Sequence, residues 1–126
     1  MLRGIRGATT VSNNEEKEIV LATEKLLKVM IDENDIHPEQ VTSVFISVTE
    51  DLTATFPAKA LRNIKGWAYV PVMCMREIPV PGSLPLCIRI MLHFNTDKKQ
   101  SEIQHIYLNK AVTLRPDLHS NQNVNK

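Results

Sequence analysis

CIRIMLHFN, residues 87–95, is the stretch on which the fold turns. Ile88, Ile90 and Leu92 alternate with Arg89, Met91 and His93, and a period of two marks a β-strand with one apolar face. The apolar set requires a covering layer. The other set sends Arg89 out of the opposite face, between two isoleucines. A charge on such a strand is costly unless it reaches water or a partner. Two readings stay open: a guanidinium facing solvent, or one held rigidly and aimed at a carboxylate that suits its forked donors.

Outward from this strand the same logic recurs. In VTSVFISVTE, residues 41–50, Val44, Ile46 and Val48 alternate with Ser43, Phe45 and Ser47, which predicts a second half-apolar strand. LRGIRGATTV, residues 2–11, reads as a strand that loosens toward its end, with Arg3 and Arg6 on opposite faces. Gly4 and Gly7 flank Arg6 and leave two readings: room for a ligand or another backbone to approach, or a bulge at a sheet edge. Ser12 to Glu15 fits a capping box. Beyond it Ile19, Ala22, Thr23, Leu26, Leu27 and Met30 recur at helical spacing, with Glu16, Lys17, Glu24, Lys25 and Lys28 opposite. That spacing predicts a long amphipathic helix ending near Asn34, with His37-Pro38 preventing continuation.

FPAKALRNI, residues 56–64, starts with a proline suited to an early helical position and predicts a second, short helix ended by Gly66. WAYVPVMCM resumes an extended pattern, IPVPGSLP is a loop, and HIYL, residues 105–108, is a short strand. The order β-α-β-α-β-β-β predicts an α+β domain, a mixed sheet with helices packed on one side. Residues 1–118 form the single domain, and polar residues 119–126 are expected to be a flexible tail. Short strands leave edges exposed in a monomer, and oligomerisation is one common way to cover them.

Composition narrows the function. With 15 basic and 14 acidic residues the formal charge is +1, which supports neither a nucleic-acid nor a membrane footprint. No signal peptide or membrane span is visible, and Cys74 and Cys87 lack CxxC spacing, so reduced thiols in the cytoplasm are expected. The four histidines are too scattered for a zinc site. Neither the nucleotide-binding glycine motifs nor GxSxG nor HExxH occurs. What remains for chemistry is Arg6, Arg89, Glu77, Tyr107 and Cys74. Each has a plain alternative: Glu77 solvated near its loop, Cys74 a buried structural thiol, Tyr107 a half-buried strand aromatic. As a set they suit a small dianion whose charge must be redistributed.

RGIRGATT, FPAKALR, GWAYVPVMCMREI, CIRIM and IYLNKAVTLRPDL, in this order from residue 2 to about residue 118, closely resemble the trimeric α/β-barrel class of chorismate mutase. The resemblance implies a pseudo-α/β-barrel homotrimer, with active sites in clefts between subunits. It also implies conversion of chorismate to prephenate by a Claisen rearrangement in aromatic amino-acid biosynthesis, without metal or cofactor. Carried over, Arg89 reaches the ether oxygen of the breaking bond and a carboxylate, Arg6 and Tyr107 bind carboxylate, and Glu77 and Cys74 meet the ring hydroxyl region. The backbone of Met73, Cys74, Met75 and Arg76 lines the pocket, and Phe56, Ala58, Lys59, Arg62, Leu114 and Arg115 close it from the adjoining subunit. Arg3 stays a surface charge. One departure is Met73, where the family commonly has a small polar residue; a side-chain hydrogen bond is lost there and a backbone contact survives. The competing reading is a non-catalytic small-molecule-binding trimer of the same architecture.

Overall fold

The 87–95 strand lies at the centre of the sheet it was expected to organise. The computed structural model describes residues 1–115, so the tail expected over 119–126 falls outside the described residues. The strands are β1 (Leu2–Thr10), β2 (Val41–Val48), β3 (Val72–Arg76), β4 (Cys87–Asn95) and β5 (Ile106–Tyr107), in spatial order β3-β2-β4-β1-β5. β4 pairs antiparallel with both β1 and β2, while β3 and β5 add parallel to the outside. The sheet is mixed, as the alternation of elements implied.

Helix α1 (Glu16–Asn34) covers one face. Its Ile19, Leu26, Leu27 and Met30 are fully buried against Ile5, Val44, Ile46, Ile88, Ile90 and Leu92. At about 1.5–3 kcal/mol for each buried large aliphatic side chain, this layer supplies much of the folding free energy. At Gly7 the reading of close approach holds, and what approaches is helix α1. A Cβ there would stand 2.5 Å from Met30 Sδ and 3.2 Å from Leu26 Cδ1, so its missing side chain lets α1 approach the sheet. The edge bulge is corrected: β1 is an interior strand in unbroken register with β4, and the irregularity falls at Val41/Ser43 of β2.

Two helix expectations change in detail. The N-cap of α1 is Glu15, without a side-chain cap, and Glu18 reaches back to accept from the Ser12 and Asn13 amides. The expected short second helix is a 3-10 helix over Pro57–Asn63, wedged against α1 and β3. Further 3-10 turns occupy Pro38–Gln40, Gln100–Glu102 and Asn109–Leu114, where no helix was expected. The WAYV part of the extended segment is turn, with Trp67 buried in the core. Among the described residues no helix is long and apolar enough to cross a membrane.

Among the described residues the second face of the sheet carries no α-helix, and the 109–114 turn packs on it, over Ala8 and Tyr107 at one side. This face exposes Leu2, Phe45, Met73, Met75 and Met91 around a polar centre.

Candidate active site

Strand register builds the site. Residues paired across a sheet share a face, so one row runs Met75–Ser47–Arg89–Ala8–Tyr107 across all five strands. The adjacent row runs Met73–Phe45–Met91–Arg6. Both lie on the face away from α1. Arg89 is flanked in its row by Ser47 and Ala8, two small residues that leave space above the strand for its guanidinium. Arg6 stands one row over and one strand across.

These rows floor a cleft of about 380 Å³, within the usual size of small-molecule sites. Arg6, Arg89, Glu77, Tyr107, Met75, Leu114 and Arg115 of the expected set all line it. Phe45, Ser47, Met91 and Ala8 line it too and were not expected; parity and register together were the signal that could have found them. Three arginines face one carboxylate, so the cleft favours an anionic guest.

Glu77 follows β3 and is held from three sides. Its amide donates to the Val48 carbonyl at 2.9 Å, Ser47 Oγ donates to its Oε2 at 3.2 Å, and its Oε1 accepts from the Ile78 amide at 3.0 Å. Arg89 Nε lies 3.5 Å from Glu77 Oε2, an ion pair without a well-formed hydrogen bond. Arg89 Nε is itself buried and has no hydrogen-bond acceptor among the described residues. An N–H in that state is poised for an acceptor supplied from outside. Arg3, on the other face, donates through Nε to the Lys98 carbonyl.

At the far side of the cleft, the Arg6 amide donates to His105 Nδ1 at 3.0 Å. Burial first, then Arg6 and Arg115, hold the His105 pKa below its usual 6.5.

The remaining expected residues stand elsewhere. Cys74 has opposite parity to Met75 and lies on the α1 side of β3, so it does not join Glu77 within one chain. Phe56, Ala58, Lys59, Arg62, Met73 and Cys74 instead line a groove between the 57–63 turn and the outer edge of β3. Arg76 pairs with Glu50 and Lys59 with Glu16 at that end of the sheet. Burial pushes the Cys74 thiol up, partly offset by a hydrogen bond with the Ala58 backbone. Leu114 and Arg115, expected from a neighbouring subunit, line the Arg89 cleft of their own chain. The 109–114 turn folds back over β1 through Asn109 Nδ2, which donates to Thr9 Oγ1 at 3.0 Å, and so delivers them there. Among the described residues no group of His, Cys, Asp and Glu is suited to hold a metal ion.

A cationic cleft with one braced carboxylate, on the open face of a mixed sheet, has the chemistry to take a small carboxylate-bearing metabolite. The family model described as chorismate mutase type I matches residues 2–118. The chain is 52% identical over 123 residues to chorismate mutase AroH of Bacillus subtilis (strain 168), spanning 98% of this chain and 97% of that protein. Chorismate mutase AroH of Thermus thermophilus is 50% identical over 123 residues, 97% of this chain and 100% of its own. A solved chorismate mutase from Clostridium thermocellum superposes with a TM-score of 0.86 at 52% identity, covering 88% of this chain and 98% of that one. The chain belongs to the type I chorismate mutase family.

Proposed function

We propose that this chain isomerises chorismate to prephenate, in aromatic amino-acid biosynthesis, at a site in which the Arg89 cleft of one copy meets the Phe56–Cys74 groove of another. Chorismate mutase activity follows from the family; the residue roles are those the resemblance implies, and the lining of the cleft supports them. The reaction is an intramolecular rearrangement: the ether C–O bond breaks as a C–C bond forms, with no atom gained or lost. It therefore requires neither nucleophile nor cofactor. It requires a held conformation and a cation where the ether oxygen gains negative charge.

The observation that carries this reading is the buried Arg89 Nε, with no hydrogen-bond acceptor among the described residues, 3.5 Å from a braced Glu77. A donor fixed by a central strand gains most when charge develops on its acceptor, so it stabilises the transition state more than the ground state. Arg6 and Tyr107 bind a carboxylate and restrict the enolpyruvyl arm, which lowers the entropic part of the barrier. Glu77, held by Ser47 and the Ile78 amide, accepts the ring hydroxyl.

The same face supports assembly. Leu2, Phe45, Met73, Met75 and Met91 are exposed apolar residues on the sheet face opposite α1, a surface suited to cover by another copy in a homotrimer. The separate groove that carries Phe56, Ala58, Lys59, Arg62 and Cys74 supplies the second wall. Two unpaired cysteines accord with a cytoplasmic home.

The test is to mix purified protein with chorismate and follow the loss of its ultraviolet absorbance. No acceleration over buffer, in folded protein, rejects the reading. Calorimetric binding without turnover replaces it by the non-catalytic trimer, and a sedimentation mass of one chain rejects the composite site.

A further inference from the structure

His105 stands one residue before β5, and its side chain does what a strand backbone normally does. The parallel ladder between β1 and β5 pairs Gly7 with Ile106 and Ala8 with Tyr107. One position earlier, where a main-chain bond would be next, the Arg6 amide donates to His105 Nδ1 at 3.0 Å. A backbone N–H can only donate, so Nδ1 carries the lone pair and Nε2 the proton. The tautomer is fixed by its partner.

That bond matters because this edge has few others. β5 is two residues long, and beyond it the Leu108 amide donates to the Ala8 carbonyl at 2.9 Å. Behind the imidazole, fully buried Asn34 grips Gln104 from both sides. Its Oδ1 accepts from the Gln104 amide at 2.8 Å, and its Nδ2 donates to the Gln104 carbonyl at 2.9 Å. The same Nδ2 donates to the Met30 carbonyl at 2.9 Å. The ring thus extends to β1 from a backbone anchored at the C-terminal end of α1.

We propose that His105 is a positioning residue for the substrate cleft, its neutral imidazole locking Arg6 and Tyr107 into one rigid carboxylate-binding wall. This rests on the assignment of Arg6 and Tyr107 to the substrate made above. The charged groups facing the ring are Arg6 from β1 and Arg115 after the 109–114 turn, both cationic. Protonation sets an N–H against the Arg6 N–H and adds a third positive charge beside those two. The bond is lost, the edge loosens, and Tyr107 loses its register opposite Ala8, two residues from Arg6. Loosening a binding wall weakens ground state and transition state alike, so KM responds more than kcat.

The experiment measures kcat and KM across pH in the full chain for wild type, His105→Asn and His105→Leu. Asparagine offers Oδ1 near the Nδ1 position and does not titrate; leucine keeps bulk and offers no acceptor. Wild-type KM is expected to rise as pH falls through the imidazole titration, with kcat changing less. His105→Asn should stay within about threefold of wild type at neutral pH and lack the acid-side rise, whereas His105→Leu should raise KM about tenfold. The same acid-side rise in His105→Asn as in wild type overturns the proposal, and so does a wild-type KM in His105→Leu. If the leucine variant does not fold, the wild-type and asparagine profiles decide alone. In amide NMR, the Arg6 cross-peak should follow the imidazole titration in wild type and not in His105→Asn; an indifferent peak in wild type overturns the bond. Arg6→Ala separates the two readings. An unchanged KM there removes Arg6 from the substrate and the proposal with it, while a raised KM beside indifferent His105 variants removes only the role of His105.

Discussion

Replacing Arg89 separates catalysis from stability more cleanly than any other change in this chain. Its guanidinium is anchored by β4, and its Nε is buried 3.5 Å from Glu77 Oε2 without a hydrogen-bond acceptor among the described residues. A fixed donor to a developing oxyanion is worth about 3–4 kcal/mol of activation free energy, so Arg89→Ala should lower kcat about 10²–10³-fold. Arg89→Lys should fall nearly as far, because one ammonium cannot serve both Glu77 and an ether oxygen as a planar fork does. The structural cost is far smaller. The two side chains are 40% and 30% exposed, and a pair so open to solvent contributes about 0–1 kcal/mol. Removing the guanidinium also removes a buried N–H that lacks an acceptor, which offsets part of that loss. Thermal unfolding should therefore shift by a few degrees at most. Chorismate consumption and a melting curve on the same sample test both halves. A kcat within about tenfold of wild type refutes the electrostatic role, and a loss of activity matched by a collapse of the melting temperature refutes the separation.

The other expectations concern packing, the thiol and pH. Gly7→Ala puts a methyl 2.5 Å from the sulfur of fully buried Met30; overpacking of about 1–3 kcal/mol exceeds the roughly 0.4–1 kcal/mol gained from a stiffer unfolded chain, so urea unfolding should show net destabilisation. Cys74→Ala should keep substantial turnover, and the raised thiol pKa should make wild-type Cys74 slower to alkylate at neutral pH than a free thiol; complete inactivation by this substitution would point to nucleophilic chemistry instead. His105 titrates below 6.5 in the folded chain, so on acidification the unfolded chain takes up that proton first. Stability is then fully present above 6.5 and is lost as pH falls toward the folded value. Urea midpoints for wild type should drop more between about pH 7 and about pH 5 than those for His105→Asn.

The central fold was legible because its periodicities are strong. CIRIMLHFN and VTSVFISV alternate without a break, and the helical repeat from Ile19 to Met30 spans several turns. Detail failed where one local pattern admits two outcomes. SNNEEKE offers several starts for a helix, and the chain takes Glu15 as N-cap with Glu18 reaching back. Phe56-Pro57 announces a helix but not its pitch, and the chain sets a 3-10 helix there against α1 and β3. Gly7 looked like space for a ligand or another backbone because its neighbour is Arg6. Its constraint lies in Met30, more than twenty residues away and invisible to local reading.

For the site, resemblance supplied the residues and parity decides which wall each one forms. Met75, Cys74 and Met73 are consecutive, so a motif carries them over together. A strand separates them. Met75 sits in the Arg89 row, while Cys74 points to the other side of β3, and with Met73 at the outer edge it lines the second groove. One chain therefore cannot present Cys74 and Arg89 to the same small molecule, although both belong to the family set. In the composite site proposed above, a second copy brings its β3 edge to this sheet's open face and so brings them together. The apolar residues exposed on that face, Phe45, Met75 and Met91 among them, surround the polar row where such a copy would dock. On that proposal assembly and catalysis impose one requirement on the same residues, and a charge placed at Met91 should cost both at once.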